Sequence, residues 1–171
     1  MVDYSHLEDT KELIDNFKKV STEYGLGNSG GEYQIITQMF LYKFINDKFI
    51  WEIKKIEPNS KKESNFTKYL NDLNENEYQV LISKLSPDSA VLTSNQLISY
   101  LFDQQQDENF ANLFEQTLLD ISINNSDIFS VKTNDGQKIQ LFEGIFLYIN
   151  NFNSEKKNKF FRALINQTVD V

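Results

Sequence analysis

The stretch that decides the fold is Glu32–Ile56, EYQIITQMFLYKFINDKFIWEIKKI. Tyr33, Ile36, Phe40 and Phe44 recur at helical spacing, and Ile35 and Met39 make a second row beside them. Together they give an apolar face wider than one stripe, which predicts a long central helix touched on several sides. Pro58 and the polar run after it close the helix.

Working outward, Leu13, Ile14, Phe17, Val20 and Tyr24 keep three- and four-residue steps and predict a first helix over about Glu8–Tyr24. Between the two helices lies YGLGNSGGEY, Tyr24–Tyr33, which holds four of the chain's six glycines. Gly25, Gly27 and Gly30 match the G-x-G-x-x-G spacing of a dinucleotide loop. That loop needs a buried strand before it and a βαβ unit around it, and the preceding segment is an amphipathic helix. A phosphate loop of the other kind needs Gly-Lys-[Ser/Thr], whereas Gly30 is followed by Gly31, Glu32 and Tyr33. The cluster is a helix–loop–helix joint.

Downstream, NFTKYLNDL and NENEYQVLISKL are short helices, the second opening on Asn74 as N-cap with Glu77 three residues on. SNQLISYLFDQQ and ENFANLFEQTLLDISI carry further helical apolar rows. The period then changes to alternation around Asn134-Asp135-Gly136, predicting a small β-hairpin, Ile128–Thr133 with Gln137–Leu141. LFEGIFLYINNF and, with Ser154 as N-cap, SEKKNKFFRALINQTVDV predict two closing helices. The expected fold is mainly α, one bundle-like domain over residues 1–171 with a hairpin near 128–141. The apolar period still running at the last residues leads us to expect that more chain follows.

Composition narrows the function. Fourteen Phe and eight Tyr give enough apolar bulk for a core, so disorder is excluded. With no cysteine there is neither disulfide framework nor thiol nucleophile. No basic-then-apolar leader and no membrane-length apolar run occur, which points to a soluble protein of a reducing compartment. The single histidine, His6, gives a His-based triad or metal site no support. Ser154 and Lys157 fit S-x-x-K without its companion motifs, and Asp107, Glu108 and Glu115 lack the spacing of a calcium loop. Tyr42, Phe49 and Trp51 beside Lys43 and Lys48 have the composition of a base-stacking surface, but aromatics on an apolar helix read first as core.

Net charge is −8, against a stand-alone nucleic-acid binder. Asp88–Asp127 has seven carboxylates and no basic residue; the cations gather at Lys43–Lys68 and at Lys156, Lys157, Lys159 and Arg162. If any surface meets DNA, it is one of these two patches.

One segment is more specific than its composition. Glu32-Tyr33, the block Phe40-Leu41-Tyr42-Lys43-Phe44-Ile45-Asn46-Asp47, and Phe49 resemble, in order, the second-helix signature of the N-terminal helical domain of modification (M) subunits in type I restriction–modification systems. These subunits are adenine-N6 DNA methyltransferases. Thr10–Leu26, TKELIDNFKKVSTEYGL, looks like the family's first helix, and IQLFEGIFLYI and FFRALINQTVDV are similar to its closing segments in a low-GC bacterial branch. The likeness covers Thr10–Phe49 and Ile139–Val171. It implies a domain without chemistry of its own. In the family a following Rossmann-like domain binds S-adenosylmethionine and carries Asn-Pro-Pro-[Phe/Tyr], which holds a flipped adenine. The only prolines here, Pro58 and Pro87, stand in Glu-Pro-Asn and Ser-Pro-Asp. The implied parent is a site-specific adenine methyltransferase of the bacterial cytoplasm, and S-adenosylmethionine is its cofactor. No cofactor, metal or catalytic residue falls in this chain. Implied partners are the specificity subunit, the restriction subunit, a second modification subunit and, through the full complex, double-stranded DNA, with no membrane. Phosphate contacts would fall to Lys54, Lys55, Lys61, Lys62, Lys156, Lys157, Lys159 and Arg162. The competing expectation is a stand-alone acidic helical interaction module, an adaptor or a DNA-mimicking inhibitor.

Overall fold

A computed structural model describes residues 5–58, 65–127, 130–132, 138–140 and 142–169. Within them run α1 (Ser5–Glu23), α2 (Gly30–Ile56), α3 (Phe66–Asn71), α4 (Glu75–Ser83), α5 (Ile98–Asp103), α6 (Phe110–Asn124) and α7 (Ser154–Val169). The fold is mainly helical and bundle-like. α7 packs on α1, α5 and α6 and touches α2, while α1 packs on α2. The centre is aromatic: Phe114 meets Phe161 with ring centroids 4.8 Å apart, and Phe160 meets Tyr24 edge-on at 5.2 Å. Such pairs add about 0.5–1.5 kcal/mol each beyond burial.

The glycine-rich joint is built as two caps back to back. The Leu26 N–H bonds Ser21 O and the Gly25 N–H bonds Thr22 O, the paired closing bonds of a helix that ends on a left-handed residue. Gly25 is that residue, at φ 81°. Four residues later Ser29 caps α2 by accepting the Glu32 N–H, and the Glu32 carboxylate accepts the Asn28 N–H at 2.5 Å. Gly30 and Gly31 are already the first turn of α2.

α2 is the spine. Its inward side buries Ile35, Met39, Tyr42, Ile45, Phe49 and Ile53, and with them three polar residues, Gln38, Asn46 and Glu52. Each polar residue has a partner, as burial requires, although Oε2 of Glu52 makes no hydrogen bond. Gln38 exchanges two hydrogen bonds with the backbone of Gly144, Asn46 accepts the Ile98 N–H at 3.0 Å, and Glu52 accepts from the Ser86 hydroxyl. The Tyr42 hydroxyl donates to Gln96 O at 2.5 Å. One helix thereby anchors three separate loops.

These anchors explain where the chain departs from its periodic pattern. Over residues 94–103 one helix is expected, but a 3-10 turn (Ser94–Gln96) and α5 stand apart, with Leu97 extended at ψ 147°. The Ile98 N–H and Gln96 carbonyl that would bond within a helix are taken by Asn46 and Tyr42. The helix expected over LFEGIFLYINNF is likewise absent, with only a 3-10 turn at Phe146–Tyr148. Gly144 sits at φ 91°, and the next two N–H groups are claimed by Glu115. α7 is capped by Asn153, which accepts the Lys156 N–H at 2.8 Å, not by Ser154. Near residues 128–141, Ser130–Lys132 runs antiparallel to Lys138–Gln140, Val131 opposite Ile139. The flanking residues and the Asn134–Gly136 turn of the expected hairpin lie outside the described residues. Three pairs form no layer of the fold, since two short strands alone are marginal. The capping box at Asn74 and Glu77 is present in full.

Candidate functional site

The wide apolar face of α2 is not covered all round. Tyr33 is 70%, Phe44 56% and Trp51 60% exposed. With the half-buried Phe40 they lie within about 40° of one another around the helix axis, diametrically opposite Tyr42 and Phe49. The helix is touched by α1, α7 and three loops, as its wide apolar face predicts, but one row is left over: the Ile35/Met39 row enters the core and the Tyr33/Phe44 row faces solvent. Tyr33 to Trp51 spans roughly 27 Å of helix. This aromatic rail runs beside the α1 seam, where two shallow grooves of about 500 and 580 Å³ are floored by Ile14, Ile36, Phe40 and Leu13. Its rim is charged. Lys43 pairs with Asp47 at 3.0 Å, Lys48 with Asp88 at 3.5 Å, and the Lys55 ammonium lies 5.0 Å from the Trp51 ring. A continuous exposed aromatic strip with a polar rim is the usual form of a surface that meets another macromolecule.

The basic residues divide into two groups. Lys54 and Lys55 occupy the last turn of α2, where they complement its dipole, and Lys54 also lies 6.0 Å from the Phe66 ring. Lys61 and Lys62 lie outside the described residues. On α7 the cations are engaged with their own chain. The Lys156 ammonium sits 4.0 Å from the Phe152 ring centre and Lys157 4.5 Å from Phe146. Lys159 pairs with Glu155 at 3.1 Å, and Arg162 donates from Nε to Gln105 O at 2.5 Å. The sequence does not show which cations are engaged, because acceptors such as Gln105 for Arg162 and the Phe146 and Phe66 rings for Lys157 and Lys54 come from more distant positions.

The buried carboxylates are structural. Glu115 on α6 accepts the Ile145 N–H with both oxygens, at 2.9 and 2.8 Å, and the Phe146 N–H at 3.3 Å. Burial pushes its carboxyl above the ordinary range, against the two backbone donors and Lys157. For Glu52 burial also works upward, but the hydroxyls of Ser86 and Ser89 together with Lys48 outweigh it and hold the carboxyl below the ordinary range. Among the described residues no group of three His, Cys, Asp or Glu side chains is placed to hold a metal ion. A polar cleft of about 900 Å³ between α3, the Thr93–Gln96 turn and α6 is lined chiefly by amides and hydroxyls such as Asn71, Asn95, Gln116 and Thr117. In it Ser94 bonds Asn71 and Gln116 bonds Asp120. No described helix is long and apolar enough to cross a membrane. No protein-family model, curated protein or solved structure matches the chain.

Two functional features escape the sequence. The exposure of the rail has no signal in a helix apolar on both sides. The Glu115–Ile145 contact joins residues thirty positions apart, and only the misplaced glycine in LFEGIFLYI hints at it.

Proposed function

We propose that this chain is the non-catalytic N-terminal domain of a type I restriction–modification DNA adenine methyltransferase subunit, where it aids subunit assembly and DNA enclosure. The observation that carries the reading is the aromatic rail. It lies on the helix that resembles the family's signature, and Tyr33 and Phe44 of that signature are exposed outside this domain's own core, with Phe40 half-buried between them. Residues kept on such a helix for outward contact fit an assembly surface better than a core. Its partners would be the specificity and restriction subunits and a second modification subunit. Adenine methylation and S-adenosylmethionine belong to the catalytic domain of the parent. DNA enclosure would draw on Lys54, Lys55, Lys61 and Lys62 at the end of α2 and on Lys156, Lys157, Lys159 and Arg162 on α7.

Titration calorimetry of this chain with S-adenosylmethionine should show no heat of binding, and measurable uptake would sink the reading. Co-expression with a specificity subunit should give a complex that Phe44→Ala and Trp51→Ala weaken. The competing reading, an acidic interaction module, draws on the exposed carboxylates Asp103, Asp107 and Glu108. It takes over if the chain blocks a DNA-binding protein and charge reversal there, with the rail intact, abolishes the block.

A further inference from the structure

The rail has a symmetry of its own. Tyr33, Phe40, Phe44 and Trp51 are separated by seven, four and seven residues, so the spacing reads the same in both directions. A two-fold axis crossing the helix at the level of residue 42 places Tyr33 of one copy against Trp51 of the other and Phe40 against Phe44. We infer that the α2 rail is an isologous interface through which two copies of this chain pair with their α2 helices antiparallel. The inference deepens the assembly reading by giving the surface and the geometry through which a second copy meets the first, and rests on it only in taking the rail for a contact surface.

Three observations favour this occupant. A two-fold contact requires one patch to complement itself, and a palindromic row of large aromatics on one helical face does so. The charges agree: the first turn of α2 holds Glu32 and the last turn Lys54 and Lys55. In the antiparallel pair Lys54 comes alongside Glu32 of the second copy, about 3 Å apart along the axis and on the same flank. A parallel pair would gather four lysines at one end and align the helix dipoles. Lys43, which approaches its own copy near the axis, is already neutralised by Asp47. Finally, α1 runs along the Ile36, Phe40 and Lys43 edge, and Tyr33, Phe44 and Trp51 beside it keep most of their surface exposed. One helix pair is at the small end of specific interfaces, so the dimer should form in the micromolar range.

Trp51 is the only tryptophan and lies in the contact, so its emission should shift to the blue as concentration rises, in step with a doubling of mass by sedimentation equilibrium. Phe44→Ala and Trp51→Ala should each weaken pairing about tenfold or more. Phe44→Glu should be monomeric with an unchanged thermal melt, since this side chain stands outside the core. Because the chain has no cysteine, single replacements report the direction. Lys43→Cys lies about 3 Å along the axis from its copy and should cross-link through a short bis-maleimide. Lys55→Cys lies about 39 Å from its copy and should not. A chain that stays monomeric at several hundred micromolar, a dimer untouched by Phe44→Glu, or cross-linking at both positions would overturn the inference. A monomeric chain that still captures a specificity subunit through the rail overturns this pairing and leaves the methyltransferase reading standing.

Discussion

The two sides of α2 invert the usual rule. The inward side carries Gln38, Asn46 and Glu52 among its apolar residues, whereas the outward side displays Tyr33, Phe44 and Trp51. Polar groups are inside because each terminates a loop that the helix must hold, and aromatics are outside because nothing in this domain needs them there. The comparison teaches that burial follows available partners, not residue type. A polar side chain is stable in the interior when backbone groups from Gly144, Ile98 or the Ser86 turn reach it.

The two sides should therefore respond oppositely to substitution. The largest contrast is Phe49→Ala against Trp51→Ala. The first empties a fully buried site and should cost about 3–5 kcal/mol in urea unfolding, while the second should stay within about 0.5 kcal/mol of wild type when measured on the monomer. Equal losses would mean that the rail is part of the fold. Next comes Gly144→Ala. A Cβ there would stand 2.0 Å from Oε1 of Glu115, on a backbone at φ 91°. The cost should be on the order of 3 kcal/mol, and less in a Glu115→Ala background where the clash is gone. Tyr42→Phe keeps the ring but leaves Gln96 O unpaired in the interior, for about 1–2 kcal/mol.

The smallest effect separates the two buried carboxylates by sign. Glu115 is raised on folding, so its contribution is fully present at acid pH and falls as pH climbs through the ordinary glutamate value toward the folded one. Glu52 is lowered, so its contribution is present above the ordinary value and is lost as pH falls through the folded one. Stability relative to Glu115→Gln should thus decline from pH 4 to 7, and stability relative to Glu52→Gln should rise across the acid side. Parallel curves would show that the two environments are alike.

The helical class, the joint at Gly25–Gly31 and the Asn74–Glu77 box are readable because each depends on neighbours within one or two turns. What was illegible depends on distant partners. Ser94–Asp103 and Phe142–Asn153 both have helical apolar spacing, and both are interrupted where side chains from α2 and α6 claim their backbone groups. Of the site, the residues of the rail were visible, but its orientation was not. Rows at Tyr33/Phe44 and Ile35/Met39 are equally apolar, and the choice between them was made by Gln38, Asn46 and Glu52, whose partners lie roughly 34 to 106 residues away. The lysine patches were visible as clusters of charge, and their occupation by rings and carbonyls was not.

The packing of α7 against α1 sets the order in which this bundle can close. The apolar side of α1, with Leu13, Phe17 and Val20 buried in the native state, leaves the ribosome well before Ser154 is made. At about 5–20 residues per second, the intervening segment takes roughly 7–25 s to synthesise. Throughout that interval α1 lacks its last neighbour, and the nascent chain shows both its future core and its rail. The vulnerable moment for this protein is during translation, before the final helix arrives to close the bundle.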